Sequence, residues 1–386
     1  MPTSPTSRLP GAFAGRLRRW VYQLRTEGGS PSRDAAAIGL GVFIGCSPFY
    51  GLHLAMCWLA GRLLRLNRLK MYLAANISNP LMAPFIVLAE LQVGAWIRRG
   101  RFHSLTVETL RATGPWVFGA DLLIGSVIVG AVLGAIAALA TWLSTRSGDD
   151  PAFAGLVRRA SDRYVATSIT AWEFARGKLR GDPLYRTVIT SGILPSGGLL
   201  VDVGCGQGLM LALLAEAAAE WRQGTWPASL PPPPVFDRLS GIELRAHVAA
   251  LARHALADAA EIVEADARSR PLERCRAVLL FDVLHLMPKG DQDRLLRAVF
   301  AGLEPGGTIL VREADAAAGW RFQAVRLGNA LKALAFGRWR QTFHFRTAAE
   351  WTACFEQAGF RVDARDTSGD TPFGNVLFVL KARASA

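Results

Sequence analysis

The chain lacks the cysteine patterns that build disulfide frameworks or metal sites. It has five cysteines in 386 residues, and none forms a CxxC pair or stands near histidine at metal-ligand spacing. We therefore interpret all of them as reduced, buried apolar residues and predict no metal site. They are Cys46, Cys57, Cys205, Cys275 and Cys354.

Acidic residues are scarce relative to basic ones. The chain has 31 Asp and Glu against 44 Lys and Arg, a net charge of +13, and nearly all the cations are arginine. The first 150 residues hold 15 basic and 7 acidic residues, so the most apolar part carries most of the excess. No zinc-finger or RNA-binding signature is present. The charge therefore favours anionic lipid over nucleic acid as a partner.

Long apolar runs dominate the first 150 residues. Three of them span 35–64, 71–97 and 117–143, and each exceeds the roughly 20 residues needed to cross a bilayer. The hydrophobic content of 51% and the mean hydropathy of +0.22 agree with membrane insertion. A basic amphipathic segment at 12–25 either lies in a membrane interface or packs on its own domain.

Polar breaks interrupt two of these runs. Ser47-Pro48 and Asn79-Pro80 predict broken or re-entrant helices, because proline frees backbone groups that lipid cannot satisfy. His53 and Glu90 lie inside the runs. Such ionisable groups either mark a function or sit near an interface without one.

This region resembles a bacterial membrane domain of unknown function. The likeness covers about residues 15–145. It is carried by CSPFYGLHLA at 46–55, by Arg65, Asn67 and Arg68, and by ANISNPLMAPF at 75–85. It implies a helical membrane domain but no chemistry.

A glycine turn organises the remaining chain. The apolar run 199–203 stops at Gly204, Gly206 and Gly208, and a helical pattern follows. This order predicts a buried strand, a tight turn and a helix N-terminus that a nucleotide-like cofactor can approach. The spacing is GxGxG, not the GxGxxG of dinucleotide enzymes. Asp202 precedes the turn and suits a cationic or amino-bearing ligand, although an ordinary glycine turn stays an alternative.

Strand and helix patterns alternate after this turn. They predict a Rossmann-like α/β domain with a mostly parallel seven-stranded sheet and a C-terminal antiparallel hairpin. Four acids close successive predicted strands at the edge where open α/β sheets bind ligands. They are Asp202, Glu243, Asp266 and Asp282.

The segment VDVGCGQG at 201–208 resembles motif I of class I S-adenosylmethionine-dependent methyltransferases, and the likeness covers roughly 150–386. It implies S-adenosylmethionine as cofactor. Asp202 and the three glycines would then hold the amino-acid part of the donor, and Glu243 both ribose hydroxyls. Asp266 would meet the adenine amino group, and Asp282 would stand where donor and acceptor meet. A Pro-rich insertion at 226–235 makes Glu243 the less secure assignment.

Methyl transfer from a sulfonium depends mainly on positioning, and a hydroxyl acceptor also benefits from a base. The chain has no DPPY or NPPY after the fourth strand, so we favour oxygen methylation. His285 is the best base candidate and His344 a weaker one; a capping or core histidine is the alternative reading of His285. Aromatic residues within 320–345 either line an acceptor pocket or belong to the core.

A fuller likeness is to methyltransferases of aryl-polyene and related lipid pathways. It is carried by FARGKLRGDPLYR at 174–186, FDVLHLMP at 281–288 and TPFGNVLFVLKAR at 371–383. It implies an aryl or acyl-chain hydroxyl acceptor, either a small molecule or carrier-bound.

The sequence thus predicts a membrane domain over 1–145, a linker at 146–151 and a methyltransferase domain over 152–386. We expect the protein to lie in the bacterial inner membrane, with its catalytic part in the cytosol. We expect no nucleic acid as partner. The alternative is a membrane scaffold that binds the donor without turnover.

Overall fold

A computed structural model describes residues 15, 22, 30–102, 115–145, 150–335, 337, 341–366 and 373–382. The chain divides into two compact units, Met1–Asp149 and Asp150–Ala386. The domains expected over 1–145 and 152–386 have nearly the same ranges as these units, and the exact residues at which the domains begin and end stay a prediction. The amphipathic segment predicted at 12–25 lies almost entirely outside the described residues.

The N-terminal unit is helical where it is described. Side chains of Ser30 and Asn67 cap two of its helices by accepting from backbone N–H groups of Arg33 and Lys70. The helices are α1 (Pro31–Gly45), α2 (His53–Leu64), α3 (Arg68–Ala75), α4 (Ala83–Arg99) and α5 (Pro115–Thr145).

The three long apolar runs do not form three straight helices. Among the described residues, a single helical stretch, Phe118–Leu143, is long and apolar enough to cross a membrane unaided. A turn at 46–52 divides the first run into α1 and α2, which confirms the break predicted at Ser47-Pro48, and each helix is shorter than the roughly 20 residues needed to cross a bilayer. The second run is a bent pair, because α3 with the following turn meets α4 at 79°. The predicted break at Asn79-Pro80 lies between them, and membrane insertion stays a prediction.

Helices α4 and α5 touch backbone to backbone. A Cβ added to Gly125 would lie 1.7 Å from the carbonyl oxygen of Glu90, and one on Gly94 would lie 1.9 Å from that of Asp121. The Glu90 side chain is buried, and Asp121 pairs with Arg98 at 2.7 Å. Close approach through small residues is typical of helix packing in membranes.

The second unit begins with three helices and continues as a seven-stranded sheet. The strand order is β3-β2-β1-β4-β5-β7-β6. Strands β1 to β5 are parallel, and β7 runs antiparallel to both β5 and β6. This confirms the predicted mostly parallel sheet with its C-terminal hairpin. The strands are β1 (Leu199–Val203), β2 (Arg238–Glu243), β3 (Glu261–Glu264), β4 (Cys275–Phe281), β5 (Leu303–Ala314), β6 (Phe360–Asp366) and β7 (Asn375–Ala382).

Helices cover both faces of this sheet, as right-handed crossovers between parallel strands require. Strand β1 is buried along its whole length, and its residues are apolar except for Asp202. Such a nearly continuous apolar run is typical of a strand that is covered on both faces. The helices are α6 (Pro151–Asp162), α7 (Ile169–Gly181), α8 (Pro183–Thr190), α9 (Leu209–Arg222), α10 (Ala246–Leu256), α11 (Lys289–Gly302), α12 (Trp320–Ala335) and α13 (Ala348–Gln357).

Candidate functional site

The glycine turn joins β1 to α9 with all three glycines in the left-handed region, at φ values of 74°, 57° and 74°. A Cβ on Gly204 would lie 2.4 Å from Val283, and one on Gly208 would lie 2.5 Å from Leu256. A Cβ on Gly206 would meet nothing within 4 Å. The outer glycines therefore allow close packing, and the middle one presents bare backbone to open space, where a ligand can lie against it.

Glu243, the last residue of β2, is bound to this turn. Its carboxylate accepts from the backbone N–H of Gly206 at 3.0 Å. Arg245 donates to it from its backbone N (2.9 Å), Nε (2.7 Å) and Nη2 (3.3 Å). Burial alone would raise the pKa of Glu243, but the bonds from Arg245 outweigh it and lower the pKa. These four bonds use the whole acceptor capacity of a carboxylate, so a ligand hydroxyl could bind to Glu243 only in place of one of them.

Asp202 lies on the neighbouring strand β1 and is buried. Burial, and secondly the nearby Glu243 carboxylate, raise the pKa of Asp202 to about 7. An acid in this state is stabilised as its ion by a cationic ligand. Together with the open space at Gly206, it fits the ammonium-bearing amino-acid part of S-adenosylmethionine.

Asp266 follows β3, the outer strand of the sheet, and is partly exposed. Arg268 donates to it from its backbone N, Nε and Nη2, and these bonds lower the pKa of Asp266. Arg268 also pairs with Asp291 at 3.1 Å. The structure thus places Asp266 at the expected edge of the sheet, one strand further out than Glu243.

Asp282 directly follows β4 and belongs to an ion-pair network. Arg312 donates from Nε to Asp282 at 3.0 Å and from Nη1 to Asp182 at 2.6 Å, and Lys178 reaches Asp182 at 2.7 Å. Burial opposes ionisation, but Arg312 lowers the pKa of Asp282, and Arg312 with Lys178 lowers that of Asp182 to about 2. The network ties the α7–α8 junction to the sheet edge.

His285 lies on a short helical turn, Leu284–Leu286, just after this network. Its Nδ1 is 2.7 Å from Oε2 of Glu313, and the other carboxylate oxygen accepts from the backbone N of Leu284 at 2.7 Å. Both side chains are buried. Because a carboxylate only accepts, we assign the proton to Nδ1, and the neutral ring then carries its lone pair on Nε2.

Aromatic rings surround His285. Phe345 stacks on the imidazole with centroids 4.7 Å apart, and Phe343 lies at 6.0 Å. His344 is brought to His285 by its backbone, whose N–H donates to the His285 carbonyl at 2.7 Å. The His344 ring instead has its Nε2 3.3 Å from the hydroxyl of Thr342, which makes it the weaker base candidate.

Glu313 and three other side chains at this edge were not predicted from the sequence. Strand β5 ends at Ala314, so Glu313 lies at its carboxyl end. The rule that singled out the four acids, a carboxylate at a strand's carboxyl end, therefore also applies to Glu313. The others are Arg312, Asp182 and Arg245, and their pairings depend on tertiary contacts.

Comparison with known families divides the chain in the same way. Residues 172–365, about half of the chain, match a family described as a methyltransferase domain. Residues 15–148 match DUF2062, described as an uncharacterized protein conserved in bacteria. No curated protein matches the chain.

Solved structures also resemble the chain at low identity. An S-adenosylmethionine-dependent methyltransferase from Methanosarcina mazei is 18% identical, covers 50% of this chain and 97% of its own, and has a TM-score of 0.36. A second, from Mesorhizobium loti, is 19% identical, with coverages of 52% and 99% and a TM-score of 0.38. An O-methyltransferase family 2 protein from Planctomyces limnophilus, in complex with apigenin, is 17% identical, with coverages of 99% and 98% and a TM-score of 0.38.

Proposed function

Because the chain belongs to the methyltransferase-domain family, we propose that it transfers a methyl group from S-adenosylmethionine, its cofactor, to a hydroxyl oxygen. The acceptor is a small aromatic or lipid-like molecule, free or carrier-bound. The observation that carries this proposal is the buried His285–Glu313 pair, whose Nδ1 and Oε2 atoms are 2.7 Å apart. His285 follows β4, the strand beside β1, and Glu313 lies on β5. Phe343 and Phe345 beside it suit an apolar acceptor.

The donor would be held by the residues at the carboxyl edge of the sheet. Asp202 and the backbone from Gly204 to Gly208 would hold its amino-acid part, Glu243 its ribose and Asp266 its adenine. When bound, S-adenosylmethionine supplies a methyl group on a sulfonium, which is already a good leaving group. The protein's main contribution is then to hold the acceptor oxygen in line and exclude water.

His285 would take the hydroxyl proton on Nε2. Glu313 would keep the ring in the tautomer that can accept this proton and would hold its orientation, as the carboxylate does in other histidine–carboxylate pairs. Glu313 is therefore a positioning residue, since it contacts the base and not the acceptor. Arg312 lies next to Glu313 on β5 and fixes Asp282, which limits movement of the turn that carries His285.

We further propose that the N-terminal unit anchors the protein in the bacterial inner membrane, with the second unit in the cytosol. Phe118–Leu143 is long and apolar enough to cross, and exposed leucines and aromatics are numerous on the N-terminal helices. High salt screens exposed charges within about 3 Å at 1 M, but it does not extract a helix from hydrocarbon.

The anchor is tested by extraction and protection. High salt and alkaline carbonate should leave the full-length protein in the membrane pellet, and detergent should release it. Protease should cut residues 150–386 from inverted vesicles and spare them in intact spheroplasts. Release by salt alone, or the opposite protection pattern, contradicts the anchor.

The reaction is tested by incubating the full-length protein with methyl-labelled S-adenosylmethionine and fractionated host lipids. We expect label in the organic phase that survives mild alkali, because ethers resist hydrolysis that cleaves methyl esters. Asp202→Ala should abolish the transfer. Donor binding without any transfer to lipid or aqueous fractions would favour the scaffold alternative.

A further inference from the structure

Helix α12 presents an apolar face to solvent. Trp320, Leu327, Leu331 and Leu334 are 67%, 61%, 56% and 59% exposed. They recur at intervals of three, four and seven residues, which places them on one side of a helix. Ordinary surface helices place polar residues on that side, so this face is unusual for a protein surrounded only by water.

The opposite face of α12 packs toward His285. Phe322 meets Phe345 edge-on with centroids 5.1 Å apart, and Phe345 stacks on His285 at 4.7 Å. Ala333 is buried on the same side. One aromatic ring therefore separates α12 from the imidazole, so the helix that carries the exposed face also packs on the surroundings of His285.

Positive charge accompanies this apolar face. Residues 320–340 contain five basic side chains and no Asp or Glu: Arg321, Arg326, Lys332, Arg338 and Arg340. The Arg321 guanidinium lies 5.8 Å from the centre of the Trp320 ring. A helix with exposed leucines, tryptophan and only cationic charges has the composition of one that lies in an anionic membrane interface.

We propose that α12 docks into the headgroup region of an anionic bilayer and thereby brings His285 near acceptors that reside in lipid. The second half of this statement rests on the proposed function; the docking itself does not. A symmetric dimer through the same face would bring together two copies of a helix whose sequence has basic residues and no acidic ones, which disfavours a second copy of the chain. An anionic bilayer can bury the exposed apolar residues and attract the basic ones.

Docking is measured with a fluorophore that reports contact with lipid. Leu331→Cys is labelled with an environment-sensitive nitrobenzoxadiazole group in the full-length protein, reconstituted in nanodiscs that contain phosphatidylglycerol and nitroxide-labelled lipid. His254→Cys, on an exposed position of α10, is the matched control. The native cysteines among the described residues are buried or partly buried, and unsubstituted protein sets the background labelling.

We expect a blue-shifted emission at position 331 and strong quenching by nitroxide lipid, with neither at position 254. Replacing phosphatidylglycerol by phosphatidylcholine, or Arg326→Gln in the labelled protein, should weaken the quenching. Equal quenching at the two positions overturns the proposal. A blue shift at 331 without lipid quenching also overturns it, because the face is then covered by protein.

Function gives an independent second measurement. Leu327→Gln combined with Leu331→Gln should leave S-adenosylmethionine affinity unchanged and lower methyl transfer to acceptors embedded in vesicles, while transfer to the same acceptor in detergent micelles persists. An equal loss in both settings contradicts docking. If no acceptor is ever methylated, the proposed function fails, but the quenching result still decides the docking.

Discussion

Oε2 of Glu313 lies 2.7 Å from Nδ1 of His285, and both side chains are buried. The same carboxylate accepts from the backbone N of Leu284, so it fixes the turn as well as the ring. The orientation of the base is thus determined by a strand, β5, rather than by a loop. Glu313→Gln probes this arrangement with little change in shape.

With glutamine at 313, the amide must still accept from Leu284 and therefore turns its NH2 toward Nδ1. The imidazole then carries its proton on Nε2 and cannot act as a base. We expect turnover to fall by about 10² or more while the donor dissociation constant stays unchanged. Glu304→Gln, at the other end of β5, is the control. Equal turnover in the two variants would contradict a positioning role.

Donor affinity should depend on pH through Asp202. Its pKa of about 7 in the donor-free protein means that it is mostly protonated at pH 6, whereas a cationic ligand favours the ion. Binding should therefore release a proton and become about tenfold tighter between pH 6 and pH 8. Calorimetry should show weaker binding by Asp202→Asn and a flat profile over this range. A native profile that weakens as pH rises would refute the assignment.

Glu243 and Arg245 should respond in opposite ways. Glu243→Gln removes the acceptor offered to the ribose hydroxyls, and we expect the donor dissociation constant to rise by about tenfold. Arg245→Ala removes bonds that compete for the same carboxylate, so the donor should bind at least as tightly as to the native protein. Arg253→Ala, which breaks the exposed pair with Glu264, is the control. If Arg245→Ala weakens binding as much as Glu243→Gln, the arginine itself holds the donor.

Arg312→Gln should destabilise the second unit. It leaves Asp182 and Asp282 without their shared cation, and losing one partner of a buried pair costs about 3 kcal/mol. The pKa of Asp182 is lowered to about 2 in the folded protein. Its ion pair with Arg312 therefore adds to the free energy of unfolding above the unfolded pKa near 4, and this contribution is lost as pH falls toward 2. The melting temperature should drop clearly at pH 7 and less at pH 3. Arg365→Gln, which breaks an exposed pair, should change little.

The sequence was sufficient to predict the strands and the helix around the glycine turn. Apolar runs, turn residues and acids at strand ends are local signals, and they placed Asp202, Glu243 and Asp282 at one sheet edge. Strand β5 shows the limit of such signals. Its start at Leu303 and its end at Ala314 are set by pairing with β4 and β7, which no local pattern reports, and Glu313 was missed for that reason.

The N-terminal unit shows a second limit. Hydropathy identified the apolar runs, and Ser47-Pro48 and Asn79-Pro80 marked the breaks in them, but the 79° bend depends on how two helices pack. The face of α12 was likewise ambiguous in sequence. Its aromatics suggested a pocket or a core, whereas Trp320 is exposed and Phe322 packs on Phe345, the ring that stacks on His285.

The most direct measurement is single-turnover methyl transfer by His285→Ala at saturating S-adenosylmethionine, with His254→Ala as the control. Loss of a general base costs about 10²–10⁴ in rate, and the donor is held by other residues. We therefore expect transfer to slow by that factor while the donor dissociation constant stays native. Near-native transfer by His285→Ala would contradict the account, because no base would then be needed at the end of β4.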